Sequence, residues 1–246
     1  MIISADRAKI FIWEGAAVFV GRLSDTSLHK HHAIQLCIGV GGPFQLLHNG
    51  AWVEANFANI PANVAHQLDA SENAVAFALL DGAWVIGDNK KTVTISDDVI
   101  DLKLQEQTLD TVDDGRRLLD LIVGQGIPVR NIPSKRDARI NQVLENLRDV
   151  GASQISADSC ADMAGLSPSR FLHLFTQNVG LPFRRYVLWR RIIRAIEEVC
   201  AGGDLTMAAH AGGFADSAHF SRTFRETFGL SPSKLFKNSQ YVQVIT

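Results

Sequence analysis

The 246-residue sequence has few cysteines and no long apolar run. Its three cysteines, Cys37, Cys160 and Cys200, are odd in number and far apart, which argues against a disulfide framework and for a reducing compartment. No apolar stretch approaches the ~20 residues that cross a bilayer. Acidic residues near the N-terminus also break the basic-then-apolar order of a signal peptide. These absences predict a cytoplasmic protein with no membrane partner.

Charge is distributed unevenly along the chain. Residues 1–133 contain 10 Lys and Arg against 16 Asp and Glu, whereas residues 134–246 contain 14 against 10. At the junction, GQGIPVRNIPSKRD (124–137) places two glycines and two prolines where neither a helix nor a strand continues. The sequence therefore predicts two domains with different partners. The predicted division is a front domain at 1–124, a linker at 125–136 and a back domain at 137–246.

The front half has the pattern of a β domain. Short apolar runs alternate with turn signals through IQLCIGVGGPFQLLHNGAWVEANFANIPANVAHQL (34–68), where Asn49-Gly50 is the strongest hairpin marker. The same rhythm continues in AVAFALLDGAWVIG (74–87). Several short strands at this spacing predict a small barrel or a sandwich.

One helix is predicted after these strands. In DGRRLLDLIVG (114–124), Leu118, Leu119 and Ile122 fall on one helical face, and Gly124 supplies a stop. Such a helix could form a dimer contact or could cover the barrel, and the pattern favours neither role over the other.

The back half is helical and contains an internal repeat. The segments GLSPSRFLHLFTQNVG (165–180) and GFADSAHFSRTFRETFG (213–229) carry two phenylalanines and a glycine at a shared offset of 49 residues. The matching positions are Phe171 and Phe220, Phe175 and Phe224, and Gly180 and Gly229. Each segment follows a helix of small residues, which lets two helices cross steeply at a glycine bend. The pattern predicts two helix-turn-helix units, although glycine bends and phenylalanine pairs also occur in ordinary helical bundles.

Capping residues support both copies. Ser167-Pro168 and Asp216-Ser217 offer N-cap oxygens, while Gly180 and Gly229 stand where a left-handed residue would end each helix. Between the copies, FRRYVLWRRIIRAIEEVC (183–200) predicts a linker helix roughly 27 Å long. This length could hold two recognition helices about one DNA turn apart. The apolar stripe of the linker helix consists of Tyr186, Trp189, Ile193 and Ile196.

These elements resemble the DNA-binding domain of the AraC family of transcription regulators. The resemblance covers 137–246 and is carried by ADMAGLSPSRFLHLFTQNVG, RRIIRA and AAHAGGFADSAHFSRTFRETFGLSP. It implies an α+β multidomain regulator in which a sensor domain precedes an all-α double helix-turn-helix. It also implies double-stranded DNA as a partner, a homodimer, and contact with RNA polymerase if the protein is an activator. The base-reading positions that it implies are Ser169, Leu172, His173, Ser217, Ala218, His219 and Arg222.

The basic residues of this half have two interpretations. The arginine run of the linker helix is typical of a solvated face, and Arg191 within it could hold the two copies together through an internal acid. Alternatively, part of the set neutralises phosphate. The predicted phosphate contacts are Arg139, Arg190 and Arg225, and the predicted guanine contact is Arg222.

The histidines of the front half resemble the two metal-binding motifs of cupins, H-x-H-x-x-x-E and P-x-G-x-x-H. HKHHAIQ contains His29, His31 and Gln35, and PANVAH contains His66. The resemblance implies a cupin-like β-barrel in which this set holds Zn, Ni, Cu or Fe. The sequence departs from the motifs at Gln35, which replaces a carboxylate, and at Asn63, which replaces the turn glycine.

The alternative for the front domain is a small organic effector, or no ligand, and the departures from the motifs favour this alternative over a metal. On a strand, Cys37 would share the face of the histidines, but a buried cysteine is more often a small apolar side chain than a ligand. The expected walls of an effector pocket are Trp13, Phe19, Phe44 and Cys37. A cupin enzyme is the least favoured interpretation, because a regulator needs a pocket but no chemistry. No catalytic residue is therefore predicted.

Overall fold

The computed structural model describes residues 9–23, 26–81, 93–98, 109–125, 135–147, 155–238 and 241–244. The chain divides into two compact units. The front unit comprises Met1–Pro128 with Ser221–Thr246, and the helical unit comprises Val129–Phe220. One boundary therefore lies inside a helix. The sequence-based ranges 1–124, 125–136 and 137–246 stay predictions.

The front unit is built on antiparallel strands, as its alternating apolar runs predict. The strands are β1 Lys9–Trp13, β2 Ala16–Leu23, β3 Ala33–Val40, β4 Phe44–His48, β5 Ala51–Ala55, β6 Phe57–Ile60, β7 Gln67–Asp81, β8 Thr94–Ser96 and β9 Tyr241–Val244. Their order is β8-β6-β3-β7-β2-β1-β9, with β4 and β5 paired beside β7. Strand β9 runs parallel to β1. The pairing of the described strands does not join β8 to β9, so along this path the sheet stays open.

Because of its length, strand β7 connects the β4–β5 hairpin to the other strands of the sheet. Its first residues pair with β4, at Gln45 and Asp69, and its later residues pair with both β2 and β3. The turn between β4 and β5 is the predicted Asn49-Gly50, with φ of 52° and 79°. Two consecutive left-handed residues form a hairpin turn whose twist matches the flanking strands. The hairpin prediction is confirmed.

Helix α1 (Val112–Val123) covers one face of the sheet. Leu118, Leu119 and Ile122 are buried in a core with Phe11 and its neighbours on the strands. The helix ends just before the predicted glycine stop. Packing on the sheet accounts for its apolar face, so the covering role is the one observed.

Helices make up the other unit, as the period of the back half predicts. The helices of the back half are α2 Ala138–Leu147, α3 Ala157–Met163, α4 Pro168–Val179, α5 Phe183–Cys200, α6 Leu205–Ala211, α7 Ser217–Phe228 and α8 Pro232–Asn238. Helices α2 to α6 lie in the helical unit, α7 begins there and ends in the front unit, and α8 lies in the front unit. The predicted stripe of α5 is buried throughout. Aromatic rings of α4 and α5 pack with centroids 5.1–5.3 Å apart. None of the described helices combines the length and apolar character that crossing a bilayer requires.

The second face of the sheet, the inner face, carries Phe19, Phe77, Gln35 and Cys37. Cross-strand pairing places Phe77 opposite both Phe19 and Cys37, and directly paired residues point to the same side of a sheet. The end of α7 and α8 pack here, within the front unit. A cavity of about 30 Å³ remains between these helices and the strands.

Candidate DNA-binding helices and a histidine cluster

The first helix-turn-helix consists of α3 and α4. Ala161 is fully buried where the helices cross, and Gly165 bends the chain with φ of 62°. Leu166 N donates to Ala161 O at 2.9 Å and closes the turn. A small side chain and a left-handed backbone therefore have the roles that the sequence predicts for them.

Helix α4 presents its predicted base-reading residues to solvent. Ser167 Oγ caps the helix start, and Pro168 occupies the first turn. Ser169, Leu172 and His173 are exposed, and the exposed fraction of Leu172 is 39%. The two phenylalanines of this copy are fully buried on the opposite face. The helix thus has one anchored face and one free face.

The second helix-turn-helix, α6 and α7, repeats this geometry. Ala209 is fully buried, Gly213 has φ of 68°, and Phe214 N donates to Ala209 O at 2.8 Å. Asp216 caps α7, because its Oδ1 accepts a hydrogen bond from His219 N at 2.6 Å. The prediction of a double helix-turn-helix is confirmed.

The outer face of α7 mixes small and basic residues. Ala218, Arg222 and Arg225 are exposed, whereas Ser217 and His219 are half-buried. The anchors predicted for this helix, its two repeat phenylalanines, are fully buried. A cationic, partly small face on an anchored helix suits a groove lined with phosphates and base edges.

His219 is oriented by its neighbours at the start of α7. Its Nδ1 accepts a hydrogen bond from Ala215 N at 3.4 Å, and its ring packs edge-on against Phe214 with centroids 5.4 Å apart. A neutral ring that accepts at Nδ1 carries its proton at Nε2. His219 therefore offers one donor to a partner.

Two arginines predicted to contact phosphate make contacts within the protein. One Arg190 nitrogen donates to Leu147 O at 3.1 Å, and another lies 3.4 Å from Tyr186 Oη. Arg139 is exposed and donates from two nitrogens to the carboxylate of Asp137. The phosphate roles stay predictions, while the Arg190 contact ties α5 to the end of α2.

Arg191 has an internal role of a different kind from the one predicted. Its guanidinium donates to the carbonyls of Gly212 and Gly213 at the end of α6 and lies 4.5 Å from the ring centroid of Phe214. Burial lowers the pKa of Arg191. The expected acidic partner is therefore wrong, because helix-end carbonyls and an aromatic face take its place.

The three histidines of the cupin-like motifs form a cluster in the front unit. One ring nitrogen from each of His29, His31 and His66 lies within 4.8 Å of the others. His29 and His66 exchange backbone hydrogen bonds of 3.0 and 2.9 Å, which form an isolated bridge. Strand β3 begins only at Ala33, so the expected regular strand through His29 and His31 is not observed. The bridge brings the rings together instead.

Hydrogen bonds to backbone carbonyls determine which nitrogen of each neutral ring carries the proton. Each Nδ1 lies 2.7–2.9 Å from a carbonyl oxygen, and the three acceptors belong to Ser27, Ala33 and Val64. A carbonyl can only accept, so each ring carries its proton at Nδ1 and a lone pair at Nε2. Histidines that bind metals typically have this second contact.

Burial keeps the cluster neutral. It lowers the pKa of His31 to about 4 and that of His66 to about 3, and it also lowers the pKa of His29. His31 and His66 are almost fully buried, whereas His29 is half-buried. Near pH 7 the Nε2 lone pairs are therefore available to an ion without loss of a proton.

Gln35 contacts the cluster from the inner face. Its terminal amide lies 2.9 Å from His31 Nε2 and 3.1 Å from His66 Nε2. Two lone pairs require donors, so the amide orientation that satisfies both rings turns its NH2 group toward them. The amide can also present its oxygen to an ion. Nearby, burial raises the pKa of the Cys37 thiol, which disfavours a thiolate ligand.

Asn63 takes the place of the glycine in the second motif. It has a left-handed φ of 63°, and its N–H donates to His31 O at 2.8 Å. Asparagine is one of the few residues that adopts this conformation readily. The departure from the motif therefore preserves the turn beside the cluster.

The predicted walls of an effector pocket do not meet in one cavity. Phe19 lines the cavity at the inner face, but Trp13, Phe44 and Cys37 do not. Trp13 packs against the core on the other face of the sheet, under α1, while Phe44 and Cys37 are fully buried but do not belong to the cavity lining. The volume of this cavity, about 30 Å³, is similar to the volume that one water molecule occupies in liquid water.

Two residues next to the cluster were not predicted from the sequence to lie there. Gly229, predicted only as a helix stop, lies against the rings of His29 and His31. Glu226 O accepts a hydrogen bond from His32 N at 3.0 Å. No local pattern relates positions about 200 residues apart, so the sequence predicts a helix stop at Gly229 but not its contact with the histidines.

Comparisons with known proteins agree with the geometry of the back half. The family described as a helix-turn-helix domain matches residues 160–238. The chain is 36% identical over 100 residues to the HTH-type transcriptional activator RhaS of Escherichia fergusonii, covering 40% of this chain and 36% of that protein. It is 33% identical over 109 residues to the transcriptional activator RhrA of Rhizobium meliloti, covering 43% and 34%. The match spans about a third of the length of these relatives.

One solved structure is similar across most of the chain. It is ToxT of Vibrio cholerae with a bound unsaturated fatty acid, at a TM-score of 0.48 and 13% identity, covering 94% of this chain and 99% of that chain.

Proposed function

We propose that the chain is a sequence-specific DNA-binding regulator of the AraC family of transcription regulators, which its helix-turn-helix domain resembles. The observation that carries this proposal is the outer face of α7. Ala218, Arg222 and Arg225 are exposed there, on a helix whose other face is held by fully buried phenylalanines. A recognition helix needs this division between an anchor and a groove-facing side.

In the proposed complex, α4 and α7 each enter a major groove of double-stranded DNA. Arg222 contacts a guanine through O6 and N7, which is the commonest specific arginine contact. Small residues such as Ala218 allow close approach and apolar contact with a thymine methyl group. Arg225 neutralises phosphate, which makes affinity depend on salt.

The wider assembly follows from the same proposal. The protein acts as a homodimer in the cytoplasm, and it contacts RNA polymerase if it is an activator. Two named relatives are transcriptional activators, which favours activation over repression. Its role is that of a regulator, with no catalysed reaction.

For the front unit we propose a cupin-like barrel that senses a divalent metal at the histidine cluster. His29, His31 and His66 would hold Zn, Ni, Cu or Fe through Nε2, and Gln35 would offer its amide oxygen. Three neutral imidazoles whose other nitrogens are bonded to carbonyls fit such an ion. When bound, the ion would supply a fixed positive charge beside the three rings.

An organic effector remains the alternative ligand. Pockets for small molecules usually measure about 300–1,000 Å³, whereas the inner-face cavity measures about 30 Å³. An apolar effector would therefore have to displace the residues of α7 and α8 that fill this face. A metal ion needs no cavity of that size.

Selection from random duplexes, followed by fluorescence anisotropy, tests the DNA proposal. Arg222→Ala should cost about 1–3 kcal/mol on the selected site and relax the preference at one base pair. Arg116→Ala removes an arginine of α1 that is also exposed and should leave affinity unchanged. Equal affinity of the Arg222→Ala variant for the selected site would contradict this placement of the recognition surface.

Metal analysis of protein purified without an affinity tag tests the metal proposal. Replacing both His31 and His66 by Ala should abolish zinc uptake, whereas His210→Ala changes an exposed histidine and should not. Gln35→Glu should tighten zinc binding, because it restores the carboxylate of the cupin motif. Absence of uptake by the unmodified protein would favour the organic effector.

A further inference from the structure

The C-terminal end of α7 lies directly on the histidine cluster, and both belong to the front unit. Gly229 ends the helix with φ of 80°. A Cβ at this position would overlap Nε2 and Cδ2 of His29 and would stand 3.0 Å from Cδ2 of His31. Glycine is therefore needed here both for its backbone conformation and for the closeness of the rings.

Other contacts hold this end of the helix in place. The carbonyl of Glu226 accepts the hydrogen bond from His32 N, next to the cluster. Phe224, Phe228 and Leu235 line the inner-face cavity together with residues of β1, β2 and β7. The last turn of α7 is thus docked on the same surface that presents the Nε2 atoms.

An ion would change this surface. Zinc binds imidazole nitrogen at about 2.0–2.1 Å, which places its ligand nitrogens roughly 3.4 Å apart, whereas the ring nitrogens here are spread over up to 4.8 Å. His31 and His66 are almost fully buried and bonded to Gln35. His29 is half-buried, so it is the ring that must move, and Gly229 packs on this ring.

We propose that metal uptake by the cluster and docking of the α7 end oppose each other, so that the ion loosens the end of a DNA-recognition helix. This inference rests on the metal site proposed above. Arg222 lies on the same helix, about two turns before Gly229. Because coupling between two sites is reciprocal, a change in the α7 end that follows metal binding must also change metal affinity.

Calorimetric titration of the full chain with zinc chloride, with and without Gly229→Ala, tests the opposition. The added methyl group cannot fit in the docked position, so the variant should bind zinc more tightly, by about 5- to 150-fold. Gly165→Ala is the matched control, because Gly165 also has a left-handed φ but a Cβ there meets nothing within 4 Å. This control should bind zinc as the unmodified protein does.

Hydrogen exchange of the unmodified protein supplies a second readout that needs no variant. Amides of residues 226–238 should exchange faster when zinc is present. Zinc binding with equal or weaker affinity in Gly229→Ala, or unchanged exchange, overturns the opposition and leaves the metal site standing. Absence of zinc binding by the unmodified protein would contradict both the metal site and the opposition. The DNA-binding proposal is tested separately, by the binding measurements on Arg222→Ala.

Discussion

The two helix-turn-helix copies share their local geometry and differ in what their recognition helices touch. Gly180 and Gly229 end α4 and α7 with φ of 82° and 80°. Helix α4 lies wholly in the helical unit, whereas α7 begins there and ends in the front unit. A repeated sequence can therefore produce two recognition helices of which the second ends against the histidine cluster. The coupling between metal binding and helix docking proposed above therefore concerns the second copy.

The largest expected effect tests whether the two copies depend on different cores. Phe175→Ala and Phe224→Ala each remove a fully buried ring and should each cost about 3–5 kcal/mol. Thermal unfolding followed by near-UV and far-UV signals should show that Phe175→Ala weakens the helical unit and Phe224→Ala the front unit. Identical shifts of a single transition in both variants would show that the units unfold as one.

Enlarging the small residue at each crossing should have the next largest effect. Ala161→Leu and Ala209→Leu place extra volume at fully buried positions, and each should cost about 1–3 kcal/mol. Urea unfolding measures this, with Ala138→Leu at an exposed position as the control. A large loss of stability in only one of the two variants would show that the two bends are not equivalent.

Salt dependence of DNA binding should distinguish Arg225 from Arg190, both of which are predicted from the sequence to contact phosphate. Arg225 is exposed, so Arg225→Ala should weaken all duplexes similarly and reduce the salt slope by about 1. Arg190 donates to Leu147 O, so Arg190→Ala should lower stability and leave the slope unchanged. A flattened slope for Arg190→Ala would instead support its predicted phosphate contact.

The smallest effect compares the two N-caps. Asp216 accepts a hydrogen bond of 2.6 Å from His219 N, whereas Ser167 accepts one of 3.4 Å from Arg170 N. Asp216→Ala should therefore lower the free energy of unfolding more than Ser167→Ala does. Loss of an N-cap typically costs about 1 kcal/mol. Chemical unfolding checks the order, and a larger loss for Ser167→Ala would contradict it.

Features that depend on neighbours in sequence were predictable here. The Asn49-Gly50 hairpin and the left-handed caps Gly180 and Gly229 follow from backbone sterics. The buried faces of α1 and α5 follow from the helical period. The grouping of His29, His31 and His66 was also predictable, but only through resemblance to known motifs, since no local rule brings positions 29 and 66 together.

Features that depend on distant partners were not predictable. The hydrogen bonds of Arg191 go to two carbonyls rather than to an acid, and no property of an arginine in a sequence specifies which acceptor the fold will bring to it. Likewise Trp13 and Phe19 are both apolar residues near the N-terminus, yet one packs under α1 and the other at the inner face. Side chains on opposite faces of a sheet differ in environment only once the sheet is covered.

The sequence by itself determined that this protein has a β-rich front, two helix-turn-helix copies and three histidines in two cupin-like motifs. Turns, caps and periodicity act over a few residues, so their physical causes are complete in the sequence. Only the tertiary structure decided that the end of α7 rests on those histidines. Gly180 and Gly229 have the same backbone conformation, but the contact of Gly229 with His29 joins residues 200 positions apart, which only packing can bring together.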